Sequence, residues 1–388
     1  MTAMNLLRRL PLSRLLLVCL AVVALGTGVA VASSIGSGPT PPPASLAQAI
    51  HQALTAAPVA GVSANVTLTD SLLTSGTPDG ASPLLTGASG RLWVSSDGQA
   101  RLELQSDGGD TEIYYANRTL SYFDPRNGGT LYNVALPSHP GSPDRATAHT
   151  PPSVDAIQQA ITHVTKHATV SGAIPGDVAG QPTYEVRVSP SQNGGLFGGG
   201  AVWWDAQHGV PLQLAIYATN DASPVLQLSA TSVSYGPIDP SVFAPPVAAR
   251  TDNIDLTSPA GDHGSDGSTP VTLPFTPSEP TTLDGQTLTS QRVVHVNGQA
   301  AELLFYGHGL GGIAVLEGAA PPAGSTDSSG TAGGDQGSSL PTVSINGSTA
   351  TEVPTALGTL VHFVRGGAAY TVVGSLPTAD IVQAAEGL

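Results

Sequence analysis

Residues Gly90-Arg-Leu-Trp-Val-Ser-Ser-Asp-Gly-Gln-Ala-Arg-Leu-Glu-Leu104 contain two apolar runs separated by a short polar stretch. In the second run, from Arg101 to Gln105, leucines alternate with polar residues, as in a strand that buries one face and exposes the other. Asp97-Gly98 lies between the two runs and predicts a hairpin turn. The stretch therefore predicts an antiparallel sheet with one buried face.

The same pattern continues along the chain in two groups of β-rich runs. The first group comprises Val62–Thr69, Gly90–Ser96, Ala100–Gln105, Thr111–Ala116, Thr119–Asp124 and Thr130–Ala135. The second group comprises Ala168–Ala173, Tyr184–Val188, Ala201–Asp205, Leu212–Ala218 and Val225–Val233. About eleven consecutive strands predict one strongly curved sheet rather than two unrelated units.

An amphipathic helix is predicted before each group of strands. Ser45-Leu-Ala-Gln48 is a capping box, and Pro58 should end the helix that begins there. Pro151-Pro-Ser153 begins the second helix, in which Ile157 and Ile161 belong to an apolar stripe. Because the two helices can cover one face of the curved sheet, we predict an α+β fold that is mainly β.

The N-terminus has the features of an export segment. Residues 1–32 contain three arginines followed by an uncharged apolar run that ends in small residues. The run is also close to the length that spans a bilayer, so the alternatives are a cleaved signal peptide and a retained membrane anchor. Both place the rest of the chain outside the cytoplasm, in a periplasmic or other extracytoplasmic space, and a retained anchor would make it membrane-associated. Pro-rich residues 33–44 are predicted to form a tether, and the only cysteine, Cys19, precedes them.

The charge of the chain excludes nucleic acid as a partner. The sequence has 13 basic and 28 acidic residues, which give a formal net charge of −15. Residues 1–32 contain no acidic residue, so the exported part is more acidic still, and Lys166 is its only lysine. Nucleic-acid affinity comes largely from basic residues that neutralise phosphates, and this surface would repel them.

Two folded units are predicted beyond the tether. Residues 45–249 form the first unit, and polar, glycine-rich residues 250–270 form a linker. Residues 271–388 form a smaller β-rich unit. An insert at 321–339 consists mainly of Gly, Ser, Asp and Thr, so it cannot bury enough apolar surface to order itself.

The C-terminal unit closes with a strand, a turn and a helix. Tyr370–Val373 is predicted to be a short buried strand, and Pro377 belongs to the first turn of the helix. Ser375 and Thr378 are alternative caps of that helix. The motif contains no catalytic machinery.

No catalytic constellation is evident elsewhere. His163 and His167 lie four residues apart on the second predicted helix without a third metal ligand, and His263 lies in the linker. Gly194–Gly200 lacks the lysine of a phosphate-binding loop, and it predicts a mobile hairpin tip that exposes Phe197. The exported part contains neither a nucleophile motif nor paired carboxylates. We therefore predict a protein that is not an enzyme and has no cofactor or metal.

Large apolar side chains of the first unit are concentrated on its predicted strands. If the sheet does not close, those on its concave side leave an apolar cavity under the helices, and such a cavity would hold acyl chains. If the sheet closes, they form an ordinary core. The residues predicted to line the cavity are Trp93, Leu102, Leu104, Tyr115, Tyr122, Trp204, Leu214 and Ile216.

Motifs of the first unit resemble the LolA-like superfamily. They are Gly90–Val94, Ala100–Leu104, Ile113–Asn117, Leu120–Pro125, Val202–Asp205 and Gly209–Leu212. The resemblance implies an exported protein with an unclosed antiparallel β-barrel and a helical lid, which holds acyl chains of a lipid or lipoprotein. The arginine that ties the barrel to the lid in LolA carriers has two candidate counterparts, Arg91 and Arg101.

The C-terminal unit resembles the MucB/RseB family. His308–Glu317 is similar to a family strand that follows Asp-Gly-Leu, and Tyr370–Pro377 is similar to the closing strand that ends in Val-Pro. His308 and Ser375 stand where that family has acidic residues. The resemblance implies a regulator that senses lipid or mislocalised lipoprotein and binds a membrane anti-sigma factor. The residues expected to contact this partner are His308, Leu310, Tyr370 and Val373.

Three functions are consistent with these features. A lipid-sensing regulator is favoured because the two-unit layout matches the MucB/RseB family. A LolA-like carrier of lipid or lipoprotein would need a cleaved signal so that it could diffuse. A ligand-free structural protein of the cell envelope would have a closed, empty core.

Overall fold

The computed structural model describes residues 38–73, 82–125, 129–137, 151–192, 194–219, 221–257, 273–320 and 341–388. The export segment, His263 and the insert at 321–339 lie outside these residues. Among the helices within them, none combines the length and the hydrophobicity needed to cross a membrane.

The described residues form four α-helices and 21 strands. The helices are α1 (Leu46–Thr55), α2 (Pro83–Thr86), α3 (Val154–Val164) and α4 (Thr378–Glu386). The strands before residue 256 are β1 (Gly61–Asp70), β2 (Ala88–Ser95), β3 (Ala100–Ser106), β4 (Gly109–Ala116), β5 (Thr119–Asp124), β6 (Thr130–Ala135), β7 (Ala168–Val170), β8 (Ile174–Val178), β9 (Gln181–Pro190), β10 (Phe197–Asp205), β11 (Pro211–Ala218), β12 (Pro224–Tyr235) and β13 (Arg250–Asp255). The remaining strands are β14 (Thr282–Leu283), β15 (Gln286–Val296), β16 (Gln299–Tyr306), β17 (Ile313–Ala319), β18 (Thr342–Ile345), β19 (Ser348–Thr355), β20 (Gly358–Arg365) and β21 (Ala368–Gly374).

The strands of the first unit form one curved antiparallel sheet that does not close. Their order is β9-β10-β11-β12-β1-β2-β3-β4-β5-β6. The outer edge of β9 pairs with β7 and β8. In the described part of the chain, β6 does not pair with β9. The predicted α+β, mainly β fold with an unclosed antiparallel β-barrel is therefore confirmed.

The sheet continues into the second unit through β13. This strand pairs in parallel with β6 and antiparallel with β15, and the order then runs β15-β16-β17-β21-β20-β19-β18. Residues Arg250–Asp255 were predicted to belong to the linker but form β13. Their sequence, Arg-Thr-Asp-Asn-Ile-Asp, has one apolar residue, so local pattern does not predict a strand, and pairing on both sides produces one.

Strand register divides the sheet into two faces, because residues paired on neighbouring strands point to the same side. Val62 of β1 pairs with Val94 of β2 and Tyr235 of β12. This is the inner face, on which α1 and α3 lie. The next pair, Ser63 with Trp93, lies on the outer face.

A serine caps the N-terminus of each long helix of the first unit, and the capping box of α1 was predicted from the sequence. Gln48 N donates to Ser45 Oγ at 3.3 Å, and Ser45 N donates to Gln48 Oε1 at 3.1 Å, which is the capping box of α1. Ser153 Oγ accepts a hydrogen bond from Ala156 N at 3.3 Å at the start of α3. The buried side of α1 packs on β9 and β10, where Tyr184 and Trp204 belong to its core cluster.

In the second unit the helix covers the opposite face of the continuous sheet. Ile254 of the inner face pairs with Val296, so Gln299, which is opposite Val296 on β16, also lies on that side. Leu304 of β16 points to the other side, where it belongs to one core cluster with Val315 and with Ile381 of α4. Ser375 and Thr378 do not cap α4, because Pro377 occupies the N-cap position without a side-chain hydrogen bond.

Candidate functional site

An apolar cavity of about 70 Å³ lies on the inner face of the first unit, between β1, β2, β11 and β12. The residues around it include Val62, Ala64, Leu92, Leu214 and Ala230. Gln213 is the single polar residue of its lining. Pockets that hold small molecules usually have volumes of roughly 300 Å³ or more, so the cavity is closed to an acyl chain in this conformation.

Seven of the eight residues predicted to line a cavity share the inner face. Leu214 borders the cavity itself, and Leu102 and Leu104 pack in the apolar cluster around it. The other four lie further along the same face by register, and they are Tyr115, Tyr122, Trp204 and Ile216. Trp204 is fully buried against Tyr184 under α1, so it is a contact of the helical lid.

Trp93 is the exception, because it lies on the outer face. It pairs with Arg101, and the Arg101 guanidinium lies 5.3 Å from the centre of the Trp93 ring. Successive residues of a strand point to opposite faces, so Trp93 points away from its neighbour Leu92, which borders the cavity. The prediction that Trp93 lines the cavity is therefore wrong. The alternation with Leu92 was the signal in the sequence that could have corrected it.

The candidate lid arginines also lie on the outer face. Arg91 and Arg101 contact Glu103 at 3.2 and 3.1 Å. Neither can reach the lid on the inner side. The lid is tied to the sheet instead by Tyr184 Oη, which donates to Pro42 O at 2.6 Å. Its two helices are tied to each other by His51 Nδ1, which lies 2.9 Å from Pro152 O.

Beyond the cavity the inner face opens across β4, β5 and β6. Leu120 is 40% exposed there, and Tyr122 and Tyr132 are partly exposed with ring centres 5.8 Å apart. Tyr122 Oη lies 3.3 Å from Ser82 Oγ. The prediction of cavity residues considered only large side chains, and it missed Ala64 and Ala230, whose small side chains leave room for the cavity. These two residues are far apart in the sequence, and no local pattern indicates that they lie close together.

A buried carboxylate organises the turn between β10 and β11. Asp205 is fully buried, and its Oδ2 accepts a hydrogen bond from Tyr235 Oη at 2.5 Å and lies 2.9 Å from His208 Nδ1. Its Oδ1 accepts from the Gln207 and His208 amides at 2.7 and 3.0 Å. Burial by itself raises the pKa of Asp205, but these hydrogen bonds outweigh it and the net shift is downward. The group is fully engaged in structure, so it is not a free general base.

A pair of buried glutamates lies in the core of the second unit. Glu302 and Glu317 are fully buried and directly opposite each other on β16 and β17. Gln291 Nε2 donates to Glu302 Oε1 at 2.5 Å, and Ser278 N donates to Glu317 Oε2 at 2.8 Å. Burial, assisted by the charges of Glu302 and Glu279, raises the pKa of Glu317 to about 7.

The predicted metal candidates do not assemble a site. His163 and His167 are neighbours at the end of α3, with ring centres 6.3 Å apart. Across the described ranges, no group of three or more His, Cys, Asp or Glu side chains is arranged to hold a metal ion.

The chain was also compared with known proteins. Family models and curated proteins give no match. Among solved structures, MucB in complex with MucA(peri) is 15% identical with a TM-score of 0.39, over 88% of this chain and 94% of that chain. The chain is similar in structure to MucB. The MucA/MucB complex of Pseudomonas aeruginosa is 14% identical with a TM-score of 0.39, over 88% of this chain and 94% of that chain. A LolA superfamily protein from Nitrosomonas europaea is 11% identical with a TM-score of 0.22, over 52% of this chain and 99% of that chain. The sequence motifs resemble the same two kinds of protein.

The four residues of the second unit that were expected to contact a partner have different environments. His308 and Leu310 are exposed around the turn Gly309–Gly311, and Val373 on β21 is 42% exposed. Tyr370 is only 5% exposed and stacks on Phe363 with ring centres 4.9 Å apart. Because it alternates with Val373 on β21 and points into the core, the prediction that Tyr370 contacts a partner is wrong.

Proposed function

We propose that this protein is an extracytoplasmic, non-catalytic regulatory binding protein. An acyl chain of a lipid or lipoprotein occupies the inner face of the first unit, and the second unit binds a membrane anti-sigma factor. The observation that carries the proposal is the apolar inner face, which combines a closed cavity with an open continuation across β4 to β6. The partner class follows from the resemblance of the C-terminal motifs.

The chemistry of the inner face suits a long apolar ligand. Each methylene that a ligand buries contributes about 0.8 kcal/mol. A chain lying from the half-exposed Leu120 towards Leu92 and Leu214 would meet apolar side chains along most of its length. Two buried acids, Asp205 and Glu317, are hydrogen-bonded within a turn and within the core of the second unit, which supports a binding role rather than a catalytic one.

Filling the cavity tests the lipid part of the proposal. Ala230→Leu is expected to weaken binding of a pyrene-labelled fatty acid at least about tenfold, because the added carbons occupy space that the chain needs. Binding is measured by fluorescence titration of the purified protein, together with native mass spectrometry for co-purifying lipid. Ala222→Leu, on the exposed loop before β12, is the matched control and should bind like wild type. Equal affinities for all three proteins would contradict the proposed site.

The partner surface has its own test. Val373→Asp is expected to weaken binding to the extracytoplasmic part of an anti-sigma factor from the same genome at least about tenfold, because a charge would be buried in the contact. Val247→Asp is the control, since Val247 is fully exposed in the first unit. A wild-type protein that does not bind the factor, but transfers fatty acid to acceptor vesicles at a rate unchanged by Val373→Asp, would instead be a carrier.

A further inference from the structure

The two units contact each other at several places. One is the β13–β15 pair, where Ile254 faces Val296 and Asn297 N donates to Asn253 O at 2.7 Å. Another follows β1, where Ala356 N donates to Leu72 O at 2.7 Å. A third joins the chain between β9 and β10 to the end of β21, and we call it the latch. It consists of Gly194–Phe197 from the first unit and Ser375 from the second. The continuous sheet is thereby brought back on itself.

The latch is a set of short hydrogen bonds around Ser375. Leu196 N donates to Ser375 O at 2.8 Å, and Phe197 N donates to Ser375 Oγ at 3.0 Å. The single hydroxyl proton of Ser375 is shared between Leu357 O at 2.7 Å and Gly194 O at 3.2 Å. Phe197 is only 7% exposed, so the prediction of a mobile tip that exposes this ring is wrong.

The latch is tied directly to β11. Thr219 follows that strand, and its amide donates to Leu196 O at 2.8 Å. Its hydroxyl donates to Gly195 O at 2.9 Å. At the opposite end of the same strand, Leu212 and Leu214 border the apolar cavity. One strand therefore connects the contact between the units to the wall of the candidate lipid site.

The cavity of about 70 Å³ must widen before an acyl chain can enter. Its wall includes β11, and the far end of β11 is fixed by the latch. We propose that the latch keeps the acyl-chain site closed, and that release of Gly194–Phe197 from Ser375 lets the β10–β11 wall move outwards. That the ligand is an acyl chain rests on the proposed function. The coupling between the latch and the β10–β11 wall does not. By linkage, a ligand that needs the moved wall also weakens the latch.

Gly195 offers a sharp way to break the latch. A Cβ at this position would lie 1.7 Å from Ser375 O, and its φ of +60° already favours glycine. Gly347, with φ +85° and open space around it, is the matched control, because Gly347→Ala has a similar backbone cost without the contact. Ser375→Ala is a milder second variant that removes the hydroxyl and keeps the fold testable if Gly195→Ala does not fold.

Hydrogen exchange of the lipid-free protein provides the first readout. In Gly195→Ala, exchange of the Leu196 amide and of the β11 amides near Leu212 and Leu214 should become faster by at least about tenfold. Ser375→Ala should change them in the same direction, and Gly347→Ala should leave them as in wild type. Faster exchange at Leu196 with unchanged exchange near Leu214 would overturn the inference, because the latch would then open without moving the wall.

Fatty-acid binding provides the second readout. The affinity for the pyrene-labelled fatty acid should rise about tenfold in Gly195→Ala, within the usual range of coupling between sites. An unchanged affinity would overturn the inference. Coupled exchange of Leu196 and Leu214 without fatty-acid binding by any of the proteins would support the latch and contradict the proposed function, so the two failures are distinguishable.

Discussion

Asp205→Ala is expected to lower the free energy of unfolding by about 3–5 kcal/mol, the largest effect of any single change considered for this protein. The variant would leave the hydroxyl of Tyr235 and the amides of Gln207 and His208 without the buried carboxylate that accepts their hydrogen bonds. The turn that they fix contacts α1, since a Cβ on Gly209 would lie 2.4 Å from Ala53 O. Loss of the carboxylate should therefore loosen the lid as well as the turn.

Urea denaturation followed by circular dichroism measures this effect. Asp110→Ala removes an exposed aspartate of the same unit and should change stability by less than about 0.5 kcal/mol. Because the pKa of Asp205 is lowered on folding, its contribution is fully present above the ordinary pKa of 3.8 and is lost as the pH falls through the lower folded value. The difference between wild type and Asp205→Ala should accordingly shrink in acid. A loss below about 1 kcal/mol at neutral pH would show that the hydrogen bonds are replaced by water.

Glu317→Gln is expected to stabilise the protein at pH 8 by about 1–3 kcal/mol. This range is smaller than the free energy that corresponds to the whole pKa shift, because neighbouring groups and solvent relax around the charge. The folded pKa of about 7 exceeds the ordinary value of 4.5, so the wild-type contribution is fully present below pH 4.5 and is lost as the pH rises towards 7. Glutamine resembles the protonated acid and can still accept from Ser278 N. It removes the cost of a buried negative charge opposite Glu302.

Melting temperatures at pH 5 and pH 8 test the sign of this effect. The difference between Glu317→Gln and wild type should be small at pH 5 and favour the variant at pH 8. The titratable groups that interact with Glu317 are Glu302, Glu279, Tyr306 and Tyr370. Glu386→Gln, on the exposed side of α4, is the control and should show no such pH dependence. A variant less stable than wild type at pH 8 would mean that the buried charge is compensated by its surroundings.

Much of the first unit could be predicted because its signals are local. The alternation of Leu102 and Leu104 with polar neighbours placed both on the inner face, and the capping box at Ser45 fixed the start of α1. Each signal depends on residues two to four positions apart, over which backbone geometry is nearly fixed by the secondary structure. The same rule applied to Trp93 would have assigned it to the outer face.

The other wrong predictions concern residues whose environment is set by distant parts of the chain. Ser375 was expected to cap α4, but its hydroxyl serves the latch with Gly194 and Phe197. Tyr370 was expected at the surface of a partner contact, but α4 covers that face of the second unit. Helix and sheet propensity do not specify which of two faces a later helix will cover, so neither outcome had a local signal.

The sequence by itself determined most strands of the first unit, the helices α1 and α3 and the acidic composition of this protein, because these depend on composition and on short-range periodicity. Only the tertiary structure decided the size of the cavity, the raised pKa of Glu317 and the latch. Ala64 and Ala230, Glu302 and Glu317, and Gly195 and Ser375 meet through strand pairings and loop contacts. Close packing around the two alanines sets the volume of the cavity, and burial of the two glutamates together raises the pKa of Glu317. The latch likewise needs both of its partners, so none of these properties belongs to one residue alone.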